Sequence, residues 1–402
     1  MIANSDTRKE FLLYGLSAAT FIIFFQIYMV APIIPSLSVF FRISEQAVSD
    51  IVPAFLIPYG VFSLFYGVFA DQIGTKKVIL TSSLVFIILT VGTTFSQNIT
   101  QMLIWRTLAG VGAGGVIPIS LAWIGKTYAY EKRGQPIGYI FGAVAGEGAF
   151  GAFAGALLES YVGWKILFLI VAGLALLIWG VIFRAYRVME LKPTRSHLSL
   201  PVVFKSYKEL LLTKRGGTAY LYVMLNGIFT SGVYTWLAYY LEKTYNLSGR
   251  SIAFALLGYG IPGLVFGPLI GRLVDRYGRS KLLPSGLALG SSSVFTLILS
   301  VSLVVIRVAI ITLSLGFDLT QPLLAGIISQ VGKKRGGQAM SVMAFMLFVG
   351  FGLGSYFFKL ALNLSLETAL IIFGSFQLGL SLLGFWVFRK ERFVGSAQPA
   401  QV

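Results

Sequence analysis

The sequence predicts an all-α membrane protein, with twelve transmembrane helices in two pseudo-symmetric six-helix bundles. Three observations predict it. Hydrophobic residues fill 56% of the 402 positions and charged residues only 12%, with a mean hydropathy of +0.82, whereas a soluble domain carries about 25% charged residues. The apolar runs reach the roughly 20 residues that a bilayer-spanning helix needs. Short motifs recur at an offset of about half the chain, as expected of an internal repeat.

Twelve apolar runs are legible, near 11–34, 46–70, 78–96, 101–125, 136–158, 164–186, 218–241, 250–272, 281–304, 306–330, 337–361 and 366–388. The links within 78–125 and 281–330 are very short. Phe11 opens a run too long for a cleavable signal, so the first run is expected to be a retained span. The one long linker follows the sixth run. It divides the chain into an N-terminal bundle (1–186), a linker (187–217) and a C-terminal bundle (218–402). Pro193 and Pro201 interrupt the linker, and Val203–Leu212 is amphipathic enough to lie on the membrane as a short helix.

The formal net charge of +17 would suggest nucleic acid in a soluble protein, but its distribution points elsewhere. Twenty-five of the 32 Lys and Arg residues fall in alternate links, with the termini and the long linker. That asymmetry places both termini and the linker in the cytoplasm, facing anionic headgroups of the inner membrane, with no nucleic-acid partner. The seven exceptions are Arg42, Arg106, Lys165, Lys243, Arg250, Arg307 and Lys359.

The repeat is carried by Gly67-Val-Phe-Ala-Asp71-Gln72-Ile-Gly74-Thr75-Lys76-Lys77 and Gly271-Arg-Leu-Val-Asp275-Arg276-Tyr-Gly278-Arg279-Ser-Lys281, which lie 204 residues apart. Pro118 and Pro322 share that offset, Lys132-Arg133 and Lys334-Arg335 lie at 202, and Arg106 and Arg307 correspond within a few residues. Parallel repeats of this kind place a binding site at the interface of the halves, near the bilayer midplane.

The pattern G-x-x-x-D-R-x-G-R-x-K after the second and eighth runs resembles the signature of the major facilitator superfamily. The second copy is complete, while the first has Gln72 and Thr75 where arginines are usual. Arg106-Thr-Leu-Ala-Gly110 in the fourth run is similar to the family's R-x-x-x-G motif. The glycine-rich fifth run resembles the antiporter motif G-x-x-x-G-P-x-x-G-G, with Glu147 at the proline position. Phe25-Gln26-Ile-Tyr28 through Pro35 is similar to the first span of drug-efflux branches, which often carry an acid near Gln26. The resemblance implies a twelve-span transporter of a small molecule that works by alternating access. It implies a cytoplasmic gate formed by Gly67, Asp71, Gly74, Lys76, Lys77, Gly271, Asp275, Arg276, Gly278, Arg279 and Lys281; the competing reading of the lysines is topology alone.

A charge in the hydrocarbon costs roughly 2.5–3.5 kcal/mol on insertion scales, so embedded charges are functional candidates. Glu147 lies 11 residues past Pro136, and Asp318 lies 11 past Arg307. At 1.5 Å per residue, both fall near midplane. Desolvation favours a protonated carboxylate, so either acid could couple protons to substrate movement. The alternatives are a packing role for Glu147, paired with Arg106 or a hydroxyl, and a substrate contact for Asp318. Arg106 joins them as a proton-coupling candidate, with snorkelling to the outer interface as its competing explanation. Gln26, Asn226, Tyr234 and Trp236 are expected to line a substrate cavity.

The chain has no cysteine and a single histidine, His197, in the linker, so no metal site is expected. No phosphate loop or nucleophile constellation appears, and neither catalytic residues nor cofactors are expected. The expected function is a monomeric, proton-coupled exporter of lipophilic or amphipathic compounds. An uptake porter for a sugar, organic acid or other metabolite is the alternative, and a non-transporting receptor or scaffold is the third reading.

Overall fold

A computed structural model describes residues 5–128, 134–185, 200–262, 273, 277–332 and 335–391, which are helical apart from links and turns. The first span runs as α1 (Ser5–Val30), a 3-10 turn (Ala31–Ile33) and α2 (Ile34–Phe41). It continues past the expected end because Pro32 and Pro35 sit in the first turns of the new segments, where a missing N–H costs nothing. Arg42 ends it in a left-handed conformation at φ 55°.

There follow α3 (Glu45–Val48), α4 (Ile51–Phe69), α5 (Thr75–Thr93), α6 (Ile99–Ala113), α7 (Val116–Thr127) and α8 (Gly134–Arg184). The Asn98 side chain caps α6 by accepting from the Gln101 N–H at 3.0 Å, which closes the short α5–α6 link. Gly163, at φ 73°, breaks α8 between the fifth and sixth spans. Then come α9 (Leu200–Leu212), α10 (Lys214–Tyr245), α11 (Arg250–Leu256), α12 (Arg279–Ile298), α13 (Leu303–Gly332), α14 (Gly336–Leu362) and α15 (Leu366–Val387). Among the described residues, nine helical segments are long and apolar enough to cross a membrane. The 32-residue α10 has the length, and its run of Asn226, Thr230, Ser231 and Thr235 lowers its hydropathy.

The 204-residue repeat is visible in backbone geometry. Gly74 (φ 96°) and Gly278 (φ 75°) start α5 and α12 in the same glycine-favouring conformation. Gly112 lies against the backbone of Phe86, and Gly316 against that of Gly290. Both members of this second contact are displaced by 204 from those of the first. The proposed Arg106–Arg307 correspondence fails: Arg307 is exposed, and the residue 204 past Arg106 is the buried Ile310.

The halves meet chiefly where α4 packs on α14 and where α8 packs on α11. A Cβ added to Gly352 would lie 2.5 Å from Ile57 Cγ1, so any larger residue there would force Ile57 to shift in the α4–α14 seam. Tyr59 and Phe348 continue the seam with ring centroids 4.3 Å apart.

Helix α9 covers the amphipathic stretch expected in the linker, and it packs on protein. Its apolar face of Val203, Tyr207 and Leu210 is buried in a core shared with Val68, Tyr220 and Leu324. Burying a Val or Leu side chain is worth about 1.5–3 kcal/mol, which favours docking over an open interface. The Tyr207 hydroxyl donates to the Leu64 carbonyl at 2.9 Å, while Ser206 and Glu209 bond Gln338 and Arg335. The linker helix therefore straps α4 to the start of α14.

Candidate functional site

Arg106 is held by the fit of α6 against α4. A Cβ on Gly110 would collide with the Phe55 carbonyl oxygen, so this glycine lets the two backbones touch. That approach brings the Arg106 guanidinium 4.3 Å over the Phe55 ring and 5.9 Å from Phe168, with Nε donating to the Ile51 carbonyl at 3.4 Å. The side chain is 1% exposed, which overturns snorkelling. Its Nη1 has no hydrogen-bond partner among the described residues. The R-x-x-x-G spacing is thus one turn of helix that seats a cation and its clearance on the same neighbour.

Asp318 sits on α13 beside the turn that follows α11. The chain turns at 257–260, with Gly260 at φ 85°. The Gly260 N–H donates to Ser314 Oγ at 2.9 Å, and that hydroxyl donates to Asp318 Oδ2 at 3.3 Å. The serine gives the amide at the turn a partner and passes the bond to the carboxylate. Tyr259, next to Gly260, lies within electrostatic reach of Asp318.

Between the halves lies a constricted cavity of about 20 Å³, room for about one water. Its walls include Ile27, Tyr28 and Leu56 from one half and Thr230, Ser231, Tyr234, Thr235, Tyr259 and Phe351 from the other. The rings of Tyr28, Tyr234 and Tyr259 form a triangle with centroid distances of 5.0, 4.6 and 6.3 Å.

The expected site residues divide. Tyr234 lines the cavity, and Asp318 is linked through Ser314 to Gly260, the residue next to the cavity's Tyr259. Glu147 lies in α8, and its side chain is outside the described residues. Gln26 turns from the cavity towards Thr90, with 3.4 Å between Nε2 and Oγ1. Asn226 is satisfied inside the C-terminal half by Thr320 and Gln377, each at 2.9 Å. Trp236 packs on Phe358 and donates to the Ser355 carbonyl at 3.4 Å. These three polar groups find partners within their own halves, which is what burial demands of them.

At the expected gate, Gly67 has open space around it, Gly74 and Gly278 supply the positive-φ turns, and Lys77 is exposed. Lys76 is half-buried, Lys281 is exposed, and the Arg279 guanidinium lies over Gly326, 3.0 Å from where its Cβ would be. Gly271, Asp275 and Arg276, and the side chain of Asp71, lie outside the described residues.

Sequence reasoning missed the opposite end of the seam. Lys359 on α14 bonds both carboxylate oxygens of Asp50 at 2.7 Å. Lys243 lies 3.6 Å from Glu45, and the Arg250 guanidinium stacks 4.1 Å over the Tyr161 ring. All three contacts join one half to the other. Their bases are three of the seven that break the charge asymmetry, and that exception was the available signal.

The architecture matches solved transporters. It superposes on a D-xylose–proton symporter with a TM-score of 0.74 at 18% identity, covering 93% of this chain and 96% of that one. It also matches the nucleoside transporter NupG with a TM-score of 0.76 at 11% identity, covering 94% and 100%. In sequence, it is 23% identical over 384 residues to multidrug resistance protein 1 of Bacillus subtilis (strain 168), covering 94% of this chain and 97% of that protein. The family model described as Major Facilitator Superfamily matches residues 16–355, and again 219–401, so the chain belongs to that superfamily of membrane transporters.

Proposed function

We propose that this transporter is a monomeric, proton-coupled exporter of lipophilic or amphipathic compounds in the cytoplasmic membrane, with both termini inside. The observation that carries the reading is the aromatic cavity between the halves, with the Asp318–Ser314–Gly260 relay beside Tyr259. A tyrosine-rich wall suits flat apolar bodies, and an acid next to it gives substrate and proton a shared place to compete. Glu147, on the fifth span, is a second proton carrier, and Arg106 tunes the N-terminal half electrostatically. The two Gly-Asp-Gly loops close the cytoplasmic side, with the bundles 1–186 and 218–402 rocking about the linker. The likeness to a multidrug resistance protein of matching length supports export, and the charge asymmetry supports the orientation.

The decisive experiment is substrate-driven proton movement in proteoliposomes, comparing wild type with Asp318→Asn and Glu147→Gln. Loss of coupling in either variant is the expected result; unchanged coupling in both refutes the proton-carrier role. Uptake of a polar metabolite is the second reading, favoured by the hydroxyls of Thr230, Ser231 and Thr235 on the cavity wall. Overexpression that supports growth on a limiting nutrient, without raising toxin resistance, would select it.

A further inference from the structure

One face of α13 carries Ser314, Phe317, Asp318 and Gln321, at the i, i+3, i+4 and i+7 positions that stack along a helix. Two of these residues show where the face points. Ser314 accepts from the Gly260 N–H, next to Tyr259 of the cavity wall. The Phe317 ring lies 6.0 Å from that of Phe351, which also lines the cavity. Gln321 follows Phe317 by one turn, about 6 Å further along the helix.

The Gln321 side chain is 8% exposed, and neither its Nε2 nor its Oε1 has a hydrogen-bond partner among the described residues. A flip of the amide would exchange its two ends, but both are unpartnered, so the observation holds either way. The preceding residue, Thr320, accepts from Asn226 at 2.9 Å, and Asn226 accepts from Gln377; that network leaves Gln321 out. Burying an amide with its donor and its acceptor both unpaired is costly. A methionine of similar bulk would fill the same space without that cost.

We propose that Gln321 is a substrate-recognition residue, and that it selects flat ligands with an N–H beside a C=O, as in a lactam, an imide or a carboxamide. The inference deepens the transport reading and rests on it. A primary amide presents an N–H donor and a carbonyl acceptor in one plane. A ligand edge of the opposite order makes two hydrogen bonds to it at once. Alternating access parts the halves along the cavity, and the ligand then lies against this face of α13, with Tyr259 and Phe351 beside its rings.

A ligand with an ester in place of the lactam loses one bond and sets its ring oxygen against the Gln321 carbonyl. The site rejects it about ten- to a hundredfold, as expected where a buried polar group is left unpaired.

The test uses the purified full chain in detergent and a matched pair of fluorescent probes, read by anisotropy. One is a dimethylamino-substituted quinolinone; the other is the coumarin with a ring oxygen in place of its N–H. The quinolinone is expected to bind wild type about tenfold or more tighter than the coumarin. Gln321→Met should bring the quinolinone down to the level of the coumarin, with the melting temperature kept or raised.

Equal binding of the two probes to wild type overturns the proposal and leaves the amide to water alone. A preference that survives in Gln321→Met overturns it too, as does no binding of either probe. A melting temperature lowered by Gln321→Met would make the amide a prop of the fold and also refute the role. Proton-linked flux in proteoliposomes is scored separately. Lactam preference without such flux strikes the transport reading alone, and flux without lactam preference strikes this inference alone.

Discussion

Lys359 and Asp50 lie 309 positions apart in the chain and meet as a bidentate ion pair, with both oxygens 2.7 Å from Nζ. The pair ties the end of α14 to the start of α4, at the opposite end of the seam from the strap formed by α9. With the side chains 20% and 35% exposed, it is a partly solvated pair worth about 0.5–1 kcal/mol. The Lys243–Glu45 pair and the Arg250–Tyr161 stack are of similar size. Together they hold this end closed by about 2 kcal/mol, or a factor of about 30 in population. A lock of that size can be opened by substrate binding energy and still keep the empty carrier shut.

The first prediction concerns that lock. The chain has no cysteine, so a single one introduced at Leu56, on the cavity wall, reports access without background. A membrane-impermeant maleimide added outside should label it about two- to fivefold faster in Asp50→Asn than in wild type. The exchange Asp50→Lys with Lys359→Asp should return the rate towards wild type. An unchanged rate in the single variant would show that the pair does not gate access.

What the sequence disclosed, and what it withheld, follows from range. Hydropathy reports on each span alone, and it made the helices legible, while the repeat was legible only in the spacing of short motifs. Gly74 and Gly278 were legible because a glycine at the same place in two copies points to a backbone requirement. Gln26, Asn226 and Trp236 were not assignable, because a polar residue in a span looks the same whether it faces a cavity or a partner such as Thr90, Thr320 or Ser355. Tyr28 and Tyr259 were hidden among 19 tyrosines. The α9 helix was legible as amphipathic, and its contacts with Val68, Tyr220 and Leu324 were not, since periodicity gives a face and no partner.

Arg106 yields a prediction that separates packing from coupling. A buried guanidinium with Nη1 unpartnered is costly, and replacing it with an apolar side chain of similar bulk is neutral or stabilising. Arg106→Leu should therefore keep or raise the melting temperature in detergent. Arg106→Lys should lower it, since an ammonium loses the planar stack on Phe55. If Arg106 tunes proton transfer, Arg106→Leu will lose tenfold or more of proton-linked flux while remaining folded. Wild-type flux in that variant would reduce the arginine to a relic of packing.

Two glycines in recognised motifs should respond in opposite ways. Gly110→Ala drives a methyl into the Phe55 carbonyl oxygen and should cost about 1–3 kcal/mol, seen as a lower melting temperature. Gly67→Ala meets nothing within 4 Å and should leave stability unchanged or slightly improved, because alanine favours helix. If Gly67→Ala nevertheless slows transport, the glycine is needed in a conformation other than this one, as expected of a gate. Full transport in Gly67→Ala would remove it from the gate.

The strap carries its own pH signature. Arg335 hydrogen-bonds Glu209 and holds its carboxyl below the usual value of 4.5. A carboxyl depressed in the folded state stabilises docking above its ordinary pKa, and that contribution fades as pH falls through the depressed value. The docked α9 should therefore be insensitive to pH from 8 down to about 5 and loosen only below 4.5. A bimane fluorophore on a cysteine introduced at the exposed Val202 reports this as a red shift in emission. Glu209→Gln should show a small shift already at neutral pH and no further acid transition. An acid transition that survives in Glu209→Gln would assign the sensitivity to another group, and a strap held by Tyr207 on Leu64 and Ser206 on Gln338 would then be independent of charge.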